Sequence, residues 1–268
     1  YMPSPIVKKI YENRKLPYIN RERKHLHCCS AWMNDIDWEE LKKVDGSICK
    51  YTYICEDYAI GAVNHQDCYP EDAKDRWYAH HQQHEWELTF PDNPEAKIFS
   101  HHRAIPDCHG IVNRWTGDAG CLCGSLFSNV NTVICMYDIP LMSELENRPN
   151  LPLINAYVPL EFFSSYRHDG KYLFLEYRNL FILFYMDNGF KINDEDNFAN
   201  KELLSLGYKN AVICRVEYKS KYGSFDEFCH ISKKMNIDFD RKNMIVKFDG
   251  CVVRKDGNSE NGVENDYT

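Results

Sequence analysis

YLFLEYRNLFILFYMD, residues 172–187, decides how the second half of this chain is read. Its most apolar part, FILFYM (181–186), is far shorter than the roughly 18–20 residues that span a bilayer, so its length makes it a buried strand. INAYVPLEFFSSYR precedes it, and His168-Asp169-Gly170 and Asn188-Gly189 supply turns on either side. The segment therefore reads as a run of long aromatic strands. AVICRVEYKS (211–220) and NMIVKFDGCVVRK (243–255) add more strands, and SFDEFCHISKKM (224–235) reads as a helix between them.

The first half is more mixed. SPIVKKIYENR (4–14), NDIDWEELKKV (34–44) and the segment starting at Pro70 read as helices, and residues 1–26 as a whole look helical. KYTYICEDYAIGAV (50–63) reads as a strand bent at Gly61, followed by short strands in WELTF, KIFSHHRAI and HGIVNRW. CGSLFSNVNTVICMYD (123–138) is the clearest hairpin. The two prolines of ENRPNLPL (146–153) mark a boundary. The expected fold class is α+β and β-rich: a Cys/His-rich mixed lobe over 1–147, an antiparallel aromatic-rich β lobe over 148–256 and an acidic tail over 257–268.

Composition limits the function. A net charge of −8 argues against a protein that holds nucleic acid along a basic face. The exception is residues 1–27, where seven basic side chains face Glu12 and Glu22, and this arm reads as a solvated helix and loop. No apolar run reaches membrane-spanning length, so no membrane partner is expected.

Cysteine and histidine are unevenly spread. Residues 25–135 hold nine of the 12 cysteines and nine of the 11 histidines. Zinc takes four nitrogen or thiolate sulfur donors in a tetrahedron, and short pairs supply two donors from one turn. Cys108-His109 and Cys121-x-Cys123 are such pairs, and strand and hairpin geometry could bring them together, so Cys108, His109, Cys121 and Cys123 are the expected ligands of a structural zinc ion. His80 and His84 lie four apart on the expected helix, but His81 stands where a metallopeptidase carries its glutamate; they read as a helix end charged against the dipole. No Asn-x-Ser/Thr sequon occurs, and neighbouring cysteines are poorly placed to bond within their own pairs. A reducing, intracellular setting is expected, with a secreted disulfide-rich binding domain as the alternative.

Gly117-Asp118-Ala119-Gly120 resembles the Gly-Asp-Ser-Gly loop of chymotrypsin-like peptidases, with Ala119 in the serine's place. In a second register, Cys123-Gly124 is similar to the nucleophile of viral cysteine peptidases of that fold. The resemblance implies His27 as base, Cys123 as nucleophile and Asp35 or Asp37 as the orienting acid. The chain departs from the family in lacking the substrate-binding Gly-x-His after the hairpin. Glu217-Tyr218-Lys219 has the spacing of a nuclease metal site, with Asp169 or Asp187 as the second acid, but also suits an exposed strand face of alternating charge.

The residues thus point to a zinc-stabilised protein-interaction module without catalytic activity, with a protein as partner. Metal analysis of the purified chain, combined with a thiol count under denaturing conditions, is expected to find one zinc per chain and twelve reactive thiols. Twelve thiols and no metal would remove both the zinc and the disulfide readings.

Overall fold

The computed structural model describes residues 15–25, 47–64, 85–102, 124–142, 149–255 and 259–260. In chain order the strands are β1 (Tyr18–His25), β2 (Ser47–Ile54), β3 (Ala59–Asn64), β4 (Trp86–Phe90), β5 (Asn93–His102), β6 (Gly124–Ser128), β7 (Thr132–Asp138) and β8 (Leu153–Tyr157). β9 (Ser165–Asp169), β10 (Tyr172–Tyr177), β11 (Leu180–Met186), β12 (Lys191–Ile192), β13 (Glu202–Leu206) and β14 (Lys209–Tyr218) follow. Helix α1 (Phe225–Lys234) and strands β15 (Ile237–Asp240), β16 (Ile245–Phe248), β17 (Cys251–Arg254) and β18 (Ser259–Glu260) complete the described chain.

These strands form three sheets with antiparallel pairing. One has eight strands in the order β1-β2-β3-β4-β5-β8-β13-β12, one six in the order β6-β7-β14-β11-β10-β9, and one four in the order β15 to β18. Both large sheets draw strands from either side of residue 147. The fold is β-rich and antiparallel, as expected.

The six-stranded sheet is the middle layer. Along β11, every residue is buried, but successive side chains enter different cores. Leu180, Ile182, Phe184 and Met186 pack with Trp86, Leu88, Phe90, Ile98 and Ile154 of the eight-stranded sheet. Phe181, Leu183 and Tyr185 pack with Phe228 and Cys229 of α1 and with Phe239, Val246 and Phe248 beyond it. Because a strand's side chains alternate between faces, a strand covered on both sides reads as a continuous apolar run. Its neighbours repeat the division, as Val212 and Cys214 face one core while Ala211 and Ile213 face the other.

The stretch 172–187 is two strands where the sequence suggests one. Leu173↔Phe184 and Tyr177↔Leu180 pair across a two-residue turn at Arg178-Asn179. Arg178 has φ 49°, a conformation usually given to glycine, so the turn carries no glycine signal. A comparable hairpin lies in 50–63. Tyr53↔Ile60 pairing places the turn at Cys55–Tyr58, closed by the Cys55 N–H donating to Tyr58 O at 2.9 Å, and Gly61 sits within β3 opposite Thr52. The Asn188-Gly189 turn leads β11 out of the middle sheet into β12 of the other.

Residues 18–25 are strand where a helix is expected, paired with β2 from Tyr18↔Ile54 to His25↔Ser47. Partnership with a tyrosine-rich neighbour overrides the weak local helix preference of a charged segment. The hairpin within 123–138 forms as β6 and β7, and α1 forms as expected. Ser224 caps α1 by accepting from the Glu227 N–H at 3.1 Å, with acids in the first turn and Lys233 and Lys234 in the last. The expected helices at 4–14, 34–44 and after Pro70, the HGIVNRW strand and the tail beyond Glu260 lie outside the described residues.

Alanine replacement of either Ile182 or Leu183, neighbours facing opposite cores, is expected to cost about 2–5 kcal/mol in urea unfolding. A sheet with one wet face would lose stability at only one of the two.

Candidate functional site

The residues of the expected zinc site, Cys108, His109, Cys121 and Cys123, lie outside the described residues, as do His27, Asp35, Asp37, Ala119 and the histidines at 80, 81 and 84. Among the described residues no group of three or more His, Cys, Asp or Glu side chains could hold a metal ion.

Glu217 and Lys219, the nuclease-like pair, are drawn into separate ion pairs. Glu217 is buried, with Arg215 Nε 2.7 Å from its Oε1, Lys221 Nζ 2.6 Å from its Oε2 and the Asn131 amide donating at 3.3 Å. Arg215 also pairs with Asp249 beside β17 and lies over the Phe248 ring at 5.5 Å. Lys219 instead pairs with Glu176 and lies over Phe181. Two basic side chains neutralise the buried Glu217 carboxylate, and Arg215 ties the middle sheet to the outer four-stranded one. This is a structural ion cluster.

Asp187 does the same work at the other end of β11. It accepts from Lys171 Nζ at 2.9 Å and Tyr185 OH at 2.8 Å, and pairs with Arg241 between β15 and β16. Burial pushes this carboxyl up, but the hydrogen bonds from Lys171 and Tyr185 and the charges of Lys171 and Arg241 outweigh it, so it sits below the usual carboxylate range. Asp169, the other acid of interest, pairs with Lys233 of α1.

Among the described residues Cys55, Cys135, Cys214, Cys229 and Cys251 are free thiols. Cys135 and Cys214 are sealed in the core, and burial pushes both thiols up, with the Glu85 charge adding to the shift at Cys135. A buried neutral thiol is neither a ready nucleophile nor a ready ligand. On the outer face of the eight-stranded sheet, the Asn155 amide donates to Glu202 at 3.0 Å and the Asn193 amide at 2.8 Å. Phe99 stacks between His101, at 6.1 Å, and Tyr157, at 5.4 Å, on the same face. All but Asn193 and Tyr157 are less than 5% exposed.

One end of the molecule differs. Leu206 is 71% exposed, Leu141 66% and Met142 44%. They stand on segments laced together by backbone hydrogen bonds: Ile139 N–H to Tyr208 O, Asn150 N–H to Leu141 O and Gly207 N–H to Pro152 O. Leu206 is also the register partner of Leu153. Gly207, at φ 129°, lets the β13–β14 turn close against the Asn188 amide; a Cβ there would lie 2.5 Å from Asn188 Nδ2. Asp138, paired with Lys209 at 3.4 Å and Lys255 at 2.7 Å, edges this apolar face with charge. Nothing in the amino-acid pattern separated these leucines from core leucines, since exposure depends on which strand ends the sheets leave uncovered.

Asp187→Asn is expected to cost about 1–2 kcal/mol at neutral pH, the half-exposed Lys171 and Arg241 keeping the loss modest. A depressed carboxyl contributes stability above its unfolded value, near 3.8, and loses it as pH falls through the folded value. The gap between wild type and variant in urea unfolding should therefore be widest above about pH 4 and close below it. A gap unchanged into strong acid would refute the ion-pair role. No helix among the described residues is long and apolar enough to cross a membrane. No protein family, curated protein or solved structure matches the chain.

Proposed function

We propose that the chain is a protein-interaction module without catalytic activity, and that it docks a protein partner on the end face around Leu141, Met142 and Leu206. The observation that carries this reading is the exposure of these three large apolar side chains on hydrogen-bonded neighbouring segments. Single exposed leucines are ordinary, whereas three large exposed apolar side chains on neighbouring hydrogen-bonded segments, edged by charge, have the composition of an interface centre and rim. The Asp138–Lys209 and Asp138–Lys255 pairs supply that edge.

The Cys/His-rich N-terminal lobe belongs to the same proposal. A zinc ion on Cys108, His109, Cys121 and Cys123 would pin that part of the chain, supplying stability that short loops cannot draw from apolar area. A reducing compartment keeps such thiols available as ligands, and the free thiols among the described residues suit it.

The double variant Leu141→Glu, Leu206→Glu tests the docking face. Both side chains are exposed, so thermal unfolding should be unchanged within about 0.5 kcal/mol. Wild type is expected to retain a specific protein on cross-linking and affinity capture, and the double variant to lose it. Retention by both proteins would move the docking surface elsewhere.

A further inference from the structure

At the far end of β8 from the Leu206 face, three chain reversals meet: the Pro91-Asp92 turn between β4 and β5, the single helical turn Leu160–Phe162 after β8, and the Arg178-Asn179 turn. They surround an open cleft of about 460 Å³, within the size range of small-molecule sites, roughly 300–1,000 Å³. Its base is aromatic. Tyr177 packs on Phe90 with ring centroids 4.1 Å apart, and Phe163 meets Tyr177 at 5.9 Å, while Phe162 lines the wall half-buried.

The rim is charged, and its charges are paired. Asp92 Oδ2 accepts from Tyr177 OH at 2.8 Å and from Arg178 at 2.6 Å. Glu161 pairs with Lys201 at 2.9 Å. The lining thus carries two carboxylates, Asp92 and Glu161, against the single cation Arg178, with Lys201 pairing Glu161 from outside, and the cleft offers an anion no net attraction. What it offers instead is a fixed set of donors and acceptors, the Asp92–Arg178 pair foremost, next to the Phe162 ring. Arg178 is held there in the left-handed region, at φ 49°, an arrangement that an ordinary hairpin would give to glycine.

Paired acceptors and donors beside an aromatic ring suit vicinal hydroxyls on one edge of a ligand and C–H groups on its face. We propose that this cleft binds a neutral saccharide. The Asp92–Arg178 pair hydrogen-bonds ring hydroxyls, and Phe162 packs against the apolar face of the sugar. The site is separate from the Leu206 face and does not depend on its having a partner.

Affinity electrophoresis of the full chain tests this, using gels that each contain amylose, galactomannan, hydroxyethylcellulose or glycol chitin, with alginate as the anionic comparison. At least one neutral polysaccharide is expected to retard the protein, with alginate having no effect. Arg178→Gly should weaken that retardation about tenfold or more, the loss expected for a hydrogen bond to a charged group, and Phe162→Ala should weaken it by removing the ring against which the sugar packs. Arg178→Gly also relieves the backbone at that position, so its melting temperature should stay level or rise, separating lost binding from lost folding. Leu206→Glu should leave the retardation intact. The proposal is overturned if no neutral polysaccharide retards the wild type, if alginate alone does, or if both cleft variants migrate like wild type. It is likewise overturned if a protein is captured through Phe162 in place of any saccharide.

Discussion

The burial of the six-stranded sheet on both faces is the constraint on which the rest of the structure depends. Its central strands have no wet face, so each must be apolar at successive positions and their backbone groups must find partners in the ladder. The eight-stranded sheet covers one face, and α1 with the four-stranded sheet covers the other. Charged side chains that must stay near that interior are consequently paired: Glu217 with Arg215 and Lys221, Asp187 with Lys171 and Arg241. Both ion clusters reach across to the outer layer, Arg215 through Asp249 and Asp187 through Arg241, so the charges bracket the apolar contact at its two ends.

Much of the architecture was legible where local chemistry and tertiary burial agree. The apolar run of β11, the hairpin of β6 and β7, and the helix α1 could all be read from their residues. Reading failed at turns without a glycine signal. Arg178-Asn179 and the Cys55–Tyr58 reversal split what looked like continuous strands, because their geometry is imposed by the sheets they connect. It failed again at β1, where the partner strand supplies the reason for the conformation.

Function was less legible than fold. The cysteine and histidine enrichment was visible because it is compositional, but the expected ligands fall outside the described residues. Glu217 and Lys219 had the right spacing for a metal site, yet Glu217 is neutralised by its near neighbours Arg215 and Lys221, and Asn131 and Glu176 reach the pair from distant segments that no local pattern reveals. The apolar end face and the aromatic cleft are likewise properties of strand ends. Each gathers residues from distant segments, and each side chain alone looks ordinary.

The order of the layers along the chain has a consequence for synthesis. The outer cover of the middle sheet is one continuous segment, α1 through β18, made after every strand of that sheet. As the chain leaves the ribosome at about 5–20 residues per second, the face bearing Phe174, Phe181, Leu183 and Ile213 is complete before its cover exists. Until residues 225–260 have emerged, that aromatic face lacks the cover its own chain will supply.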